Sequence, residues 1–148
     1  SFQGKTALLL LLLVFLTLVL VLVLTEVRSQ NFEDFKLKHI FDGESPDHLD
    51  CNTRMRLVIG KFSYVNRDRN TFITNPPRST VLTDVKNICM NGALKKDNGQ
   101  YTSTKAFLIV DCILEVNLQT QTVYQNGTPQ MKSIKVGCEN GFPVHFHG

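Results

Sequence analysis

The sequence predicts an α+β domain built on an antiparallel sheet. Helical periodicities come first after residue 30, and β-rich runs separated by turn residues fill the second half. Four cysteines, Cys51, Cys89, Cys112 and Cys138, lie in this part of a 148-residue chain. That length holds one compact domain and little else.

Residues 1–29 read as a segment apart. After Lys5 comes the apolar run 7–24, broken only by Thr17, and then the polar exit TEVRSQ. A basic start, an apolar stretch and small residues at Val27 and Ser29 describe a secretory signal cut before Gln30. The rival reading is an uncleaved membrane anchor, since about 18 apolar residues can cross a bilayer. The expected division is therefore a signal peptide at 1–29 and a secreted, extracellular domain at 30–148, with no stable membrane span once the signal is removed.

Each element follows from its pattern. In 31–41, Phe32, Phe35 and His39 fall at i, i+3 and i+7, which predicts a short helix with the histidine on the phenylalanine face. The stretch DGESPDH breaks it. Residues 51–59 predict a second helix, with Met55 and Val58 or Ile59 inward. NTFITNPP predicts a short strand stopped by Pro76 and Pro77. Residues 79–90 predict the third helix, capped by Ser79 or Thr80, with Val81, Val85 and Ile88 on one stripe. NGALKKDNGQ reads as a polar loop. Residues 105–118 form a long β-rich run, followed by strands at TQTVYQ, MKSIKVGC and FPVHF.

Charge narrows the function little. Removing Lys5, Arg28 and Glu26 from the chain totals of 16 basic and 13 acidic residues leaves 14 against 12, a net charge of +2. Such a balance does not by itself specify nucleic acid, and it is a poor start for attack on anionic membranes. Export implies an oxidising compartment, so two disulfides are expected. No Cys-x-x-Cys is present, which argues against a zinc ribbon. No phosphate loop, Gly-x-Ser-x-Gly or His-Glu-x-x-His occurs either. Asn126-Gly127-Thr128 is a glycosylation sequon in an expected turn, followed by Pro129.

The domain's histidines are His39, His48, His145 and His147. A lone histidine on an apolar helical face is usually a satisfied core residue, and one near a chain end usually sits in a tail. Their contexts change that balance. Phe35 to His39, Cys51 to Met55 with Asn52, Asn70-Thr71-Phe72, and Cys138-Glu-Asn-Gly-x-Pro-Val-His145-Phe146 occur in that order. This succession resembles the pancreatic-type ribonucleases, the ribonuclease A superfamily, and its ending resembles the angiogenin branch.

The resemblance covers the whole domain and implies a ribonuclease A-like fold of three short helices on a bent antiparallel sheet. It implies His39 and His145 as the two catalytic imidazoles of an endoribonuclease that cuts RNA on the 3′ side of pyrimidines through a 2′,3′-cyclic phosphate. No cofactor and no metal are called for. Imidazole titrates near neutral pH and suits both proton transfers. Thr71 would bond the base, Phe146 would pack on it, and Gln100 and Glu139 would lie near the next base. The implied disulfides are Cys51–Cys112 and Cys89–Cys138.

Three departures from the family pattern stand out. Arg67 occupies the usual lysine position, with Asn66 in place of the adjoining cysteine. A planar guanidinium is not equivalent to a compact ammonium in stabilising charge on a phosphorane, so reduced activity is expected; Arg69 could share its face. His147 stands where the family usually has Asp. Lys38 stands where Gln is more usual and adds charge near the phosphate, while Lys95 and Lys96 read as a solvated loop or a flanking-phosphate contact. The alternative is a non-catalytic secreted relative that works by binding in host defence or reproduction. A third reading pairs His145 and His147 as ligands for zinc or copper. The expected partners of a monomer are RNA and, further, a ribonuclease inhibitor or a cell-surface receptor.

Overall fold

Between Lys5 and Asp42 the chain has neither glycine nor proline, and nothing interrupts helix formation there. The computed structural model describes residues 2–43, 45–63, 67–74, 81–118 and 121–148. In it one helix, α1, runs from Phe2 to His39. The expected short helix at 31–41 is therefore the end of a long one, continuous with the apolar segment, and it stops two residues early. Phe2–Leu24 is exposed, and by length and composition it can cross a membrane or serve as a signal. The last turn of α1 docks on strand β1 (Arg69–Thr74). Asn70 Nδ2 donates to the carbonyl of Lys38 at 2.8 Å, in the last turn of the helix, where carbonyls take partners from outside it. Ile40 then forms a parallel bridge with Ile73, and Phe41 N–H donates to Ile73 O at 2.9 Å.

DGESPDH does break the helix, and Pro46–His48 makes one 3₁₀ turn. Helix α2 spans Cys51–Phe62, three residues beyond expectation. Asp50 caps it by accepting from Asn52 N–H and from the Thr53 hydroxyl. Those bonds, the Thr53 hydroxyl first, hold the Asp50 carboxyl below its usual pKa. Helix α3 spans Val81–Ile88, with Val81, Val85 and Ile88 buried as the stripe requires. The expected caps Ser79 and Thr80 and the strand-stopping prolines lie outside the described residues, as does Asn66.

Among the described residues the sheet has six strands. Beyond β1 they are β2 (Ala93–Asp97), β3 (Gln100–Leu118), β4 (Gln121–Asn126), β5 (Gln130–Glu139) and β6 (Phe142–Phe146). All ladders are antiparallel, with β3 pairing β1, β2, β4 and β5, and β5 pairing β6. The polar stretch NGALKKDNGQ is thus a strand and a turn rather than a loop. Asn98 and Gly99 both take positive φ, 50° and 74°, between the paired residues Asp97 and Gln100. That two-residue turn matches the twist of flanking strands, so backbone pairing forms β2 without an apolar face. Asn140 and Gly141, at 54° and 82°, turn β5 into β6 in the same way.

The β1–β3 ladder separates two cores because neighbouring strand residues face opposite ways. Ile73 and Ile109 join Phe32, Phe35, Val85, Ile88 and Ile134 on one side. Phe72 and Val110 join Met55, Val58 and Tyr124 on the other. Disulfides Cys51–Cys112 and Cys89–Cys138 tie α2 to β3 and the end of α3 to β5. The start of α2 is also held by β4: Asn126 Oδ1 accepts from Cys51 N–H at 2.9 Å, and its Nδ2 donates to Leu49 O at 2.6 Å. The sequon residue is therefore part of the α2 frame.

Candidate active site

The end of α1 packs against both β1 and β6, and this brings His39 into a polar cleft. The His39 ring is buried, 6% exposed. Its Nδ1 lies 3.0 Å from the Thr71 carbonyl oxygen. A carbonyl can only accept, so Nδ1 carries the proton and Nε2 of the neutral ring keeps its lone pair. Phe35 lies one turn back with ring centroids 5.4 Å apart. Phe146 stacks on the other side at 5.1 Å and 26°. Burial, with smaller contributions from the charges of Arg67 and Lys38, lowers the His39 pKa from 6.5 to about 4 against the opposing pull of the Thr71 bond. The ring is neutral at physiological pH.

A cavity of about 300 Å³ opens beside it, lined by His39, Arg67, Arg69, Asn70, Thr71, Ile109, Asp111, Lys132, Phe146, His147 and Gly148. Arg67, Arg69 and Lys132 outnumber the one side-chain carboxylate of the lining, Asp111, so the cavity suits an anion. Asp111 accepts from the Thr71 hydroxyl at 2.6 Å and lies 3.9 Å from Arg69 Nε. Among the described residues the buried Asn70 Oδ1 has no hydrogen-bond partner, a state that costs about 1–3 kcal/mol until a donor reaches it. A larger cavity of about 660 Å³ lies between α1, α2 and α3, lined by Glu33, Lys36, Arg54, Lys61 and Leu82 among others. It holds no imidazole, and the chemistry points to the smaller one.

The structure thus gathers His39, Arg67, Thr71 and Phe146 from the expected set. It does not place all of them there. His145 is exposed on β6 and does not line the cavity; its ring lies 6.1 Å from that of His147, which does. Gln100 pairs with Gly137 and Glu139 with Phe142, and neither lines the cavity. Lys38 lays its ammonium 4.4 Å from the Phe62 ring centre. Lys95 and Lys96 are exposed on β2, with Lys96 over Tyr101. Among the described residues no three His, Cys, Asp or Glu side chains converge as metal ligands.

Arg67 is held in two ways. Its Nε donates to Arg69 O at 3.3 Å, which turns part of the guanidinium back on its own chain. The Tyr124 hydroxyl donates to the Arg67 carbonyl, fixing the segment where the family's adjoining disulfide is missing. Asp111, Lys132 and Tyr124 were not singled out by the sequence pattern. Only Asp111 left a signal there, a carboxylate in the middle of the apolar run FLIVDCIL, where a charge needs a partner.

Comparison with known proteins gives the family. The family model described as "Pancreatic ribonuclease" matches residues 30–147. The pancreatic ribonuclease of Proechimys guairae is 32% identical over 123 residues, covering 76% of this chain and 88% of that protein. The pancreatic ribonuclease of Iguana iguana is 31% identical over 80 residues, which is 54% of this chain and 63% of the iguana protein. Among solved structures, green turtle egg white ribonuclease matches with a TM-score of 0.59 at 22% identity, covering 80% of this chain and 97% of that one. Amphinase from Rana pipiens oocytes matches at 0.54 and 26% identity, covering 79% and 94%. These matches fix the family and leave the branch open.

Proposed function

Because this chain belongs to the pancreatic ribonuclease family, we propose that it is a secreted endoribonuclease that cleaves RNA on the 3′ side of pyrimidines, with activity reduced by Arg67. The observation that carries the reading is the state of His39. Its Nδ1–H is committed to the Thr71 carbonyl, and the ring is neutral at pH 7. Nε2 is then an available base in a cationic cavity.

In this mechanism His39 Nε2 takes the proton of the RNA 2′-hydroxyl. The oxygen attacks the adjacent phosphorus, and the bond to the 5′-oxygen breaks as His145 protonates it. The products are a 2′,3′-cyclic phosphate and a free 5′-hydroxyl. RNA supplies its own nucleophile, so DNA is not a substrate. The acid role falls to His145 through the family resemblance of Pro-Val-His-Phe; its neighbour Phe146 forms the cavity wall. Arg67 and Lys132 balance phosphate charge. A base of pKa about 4 is weak, and an anionic phosphate in the cavity favours the protonated ring and raises that value toward neutrality. Thr71 gives its hydroxyl proton to Asp111, so its oxygen faces the base as an acceptor.

Secretion through residues 1–29 and a glycan on Asn126 belong to the same proposal. The second reading, a ribonuclease-fold protein that acts by binding alone, is favoured by two observations: the Arg67 guanidinium bonded to Arg69 O and His145 outside the cavity lining. Cleavage of a uridine-containing dinucleotide, followed for a cyclic phosphate product, separates the two. Product that disappears in His39→Ala supports the enzyme, and none above that control supports the binder.

A further inference from the structure

Gly137 lies inside β5 and is buried, yet its backbone is not among the positive-φ positions that require glycine. Glycine weakens a strand interior, and where its backbone freedom is unused it marks a close approach. The approach here comes from β6. A Cβ at Gly137 would sit 2.9 Å from His147 Nε2, 3.1 Å from His145 Cβ and 3.4 Å from His145 Cδ2. Gly137 and His145 are direct cross-strand partners, and opposed Cβ atoms ordinarily lie about 4.5–5.5 Å apart. The register shift between Gly137 and Cys138 accompanies this close packing. The chain end is pinned by His147 N–H donating to Lys135 O at 2.8 Å.

We propose that Gly137 is a positioning residue: its bare Cα is the seat on which the His147 ring rests, and the seated ring fixes the orientation of the His145 imidazole. The inference rests on the ribonuclease reading and deepens it. His145 and His147 lie on one face of the strand with rings 6.1 Å apart and tilted by 48°. Where a family carboxylate would orient the catalytic imidazole by a hydrogen bond, this chain does it by packing. Any side chain at 137 meets both rings, so His147 has to lift and His145 loses its wall.

The test uses four proteins: wild type, Gly137→Ala, His147→Ala and the double variant. Two properties are read in each: the His145 ring resonances by carbon–proton NMR, and kcat and KM for a uridine-containing dinucleotide. Gly137→Ala should move the His145 resonances. It should lower kcat by about tenfold to a hundredfold, the effect of displacing a reacting group by up to an ångström, with KM within about twofold. Its melting temperature should change little, because the gain of replacing a strand glycine by alanine is set against the shift that the two histidines must make. The double variant should be better than the product of the two single effects, since the rings no longer compete for one space. His145 resonances unchanged by Gly137→Ala, or strictly multiplicative losses in the double variant, would overturn the inference. Should Gly137→Ala fail to fold, His147→Ala carries the test: the His145 resonances must move, and their constancy sinks the idea. Resonances that move in a protein with no cleavage leave the seat standing and remove the ribonuclease reading instead.

Discussion

Acidification should reveal the buried neutral imidazole of His39 as a loss of stability. The perturbation is a fall from near pH 7 to near pH 4, applied in parallel to wild type and His39→Gln. In the folded protein the His39 pKa is lowered from 6.5 to about 4, chiefly by burial. The unfolded chain therefore binds the proton first. The stabilisation is full above the unfolded value and is lost as pH falls through the window from 6.5 down to about 4, where both states are protonated. The fall from 6.5 to about 4 corresponds to about 3 kcal/mol, an order-of-magnitude figure. That is a large share of the roughly 5–15 kcal/mol that holds a domain folded. Carboxylates also titrate in this range, but they do so in both proteins, and the lost Thr71 bond in the variant is a constant offset. Urea unfolding at several pH values gives the two curves. Wild type should fall relative to the variant by about 3 kcal/mol, most steeply around pH 5. Curves that stay parallel within about 0.5 kcal/mol would show that the histidine is not held neutral by burial, and the assignment of Nε2 as a base would fall with it.

Three further outcomes follow from the same geometry. Arg67→Lys should raise kcat by about tenfold, some 1.4 kcal/mol off the barrier, because an ammonium is released from the bond to Arg69 O that now engages the guanidinium; steady-state cleavage of a dinucleotide measures it. Tyr124→Phe removes the hydroxyl bonded to the Arg67 carbonyl. It should cost about 1 kcal/mol in urea unfolding and lower kcat, since no adjoining disulfide holds that segment. Replacing Cys89 and Cys138 together by alanine should cost about 2–5 kcal/mol, read by thermal unfolding against the intact protein.

The α+β class, the three helical regions and five of the six described strands were legible because their apolar residues recur at helix or strand period. The rest was hidden for particular reasons. Strand β2 carries no apolar face: Leu94, Lys95, Lys96 and Asp97 are all exposed, and only the Asn98-Gly99 turn announced it. The length of α1 followed from the absence of any glycine or proline between Lys5 and Asp42, a signal hidden by the change from apolar to polar residues after Leu24. For the site, His39 was readable because helical spacing placed it with Phe32 and Phe35. Asp111 and Lys132 reach the cavity only through the β1–β3 and β3–β5 registers, which no local pattern encodes. The β5–β6 register shift beside Gly137 is again a property of pairing rather than of either strand alone.

Cleavage of RNA is the central claim, and one assay addresses it most directly. The oxidised protein is incubated with a uridine-containing RNA beside His39→Ala and His145→Ala, and the 3′ ends of the products are identified. The account predicts 2′,3′-cyclic phosphates after pyrimidines from the wild type and their loss in both variants. Folded wild-type protein that releases no more product than the His145→Ala control would contradict it and leave a ribonuclease fold that works by binding.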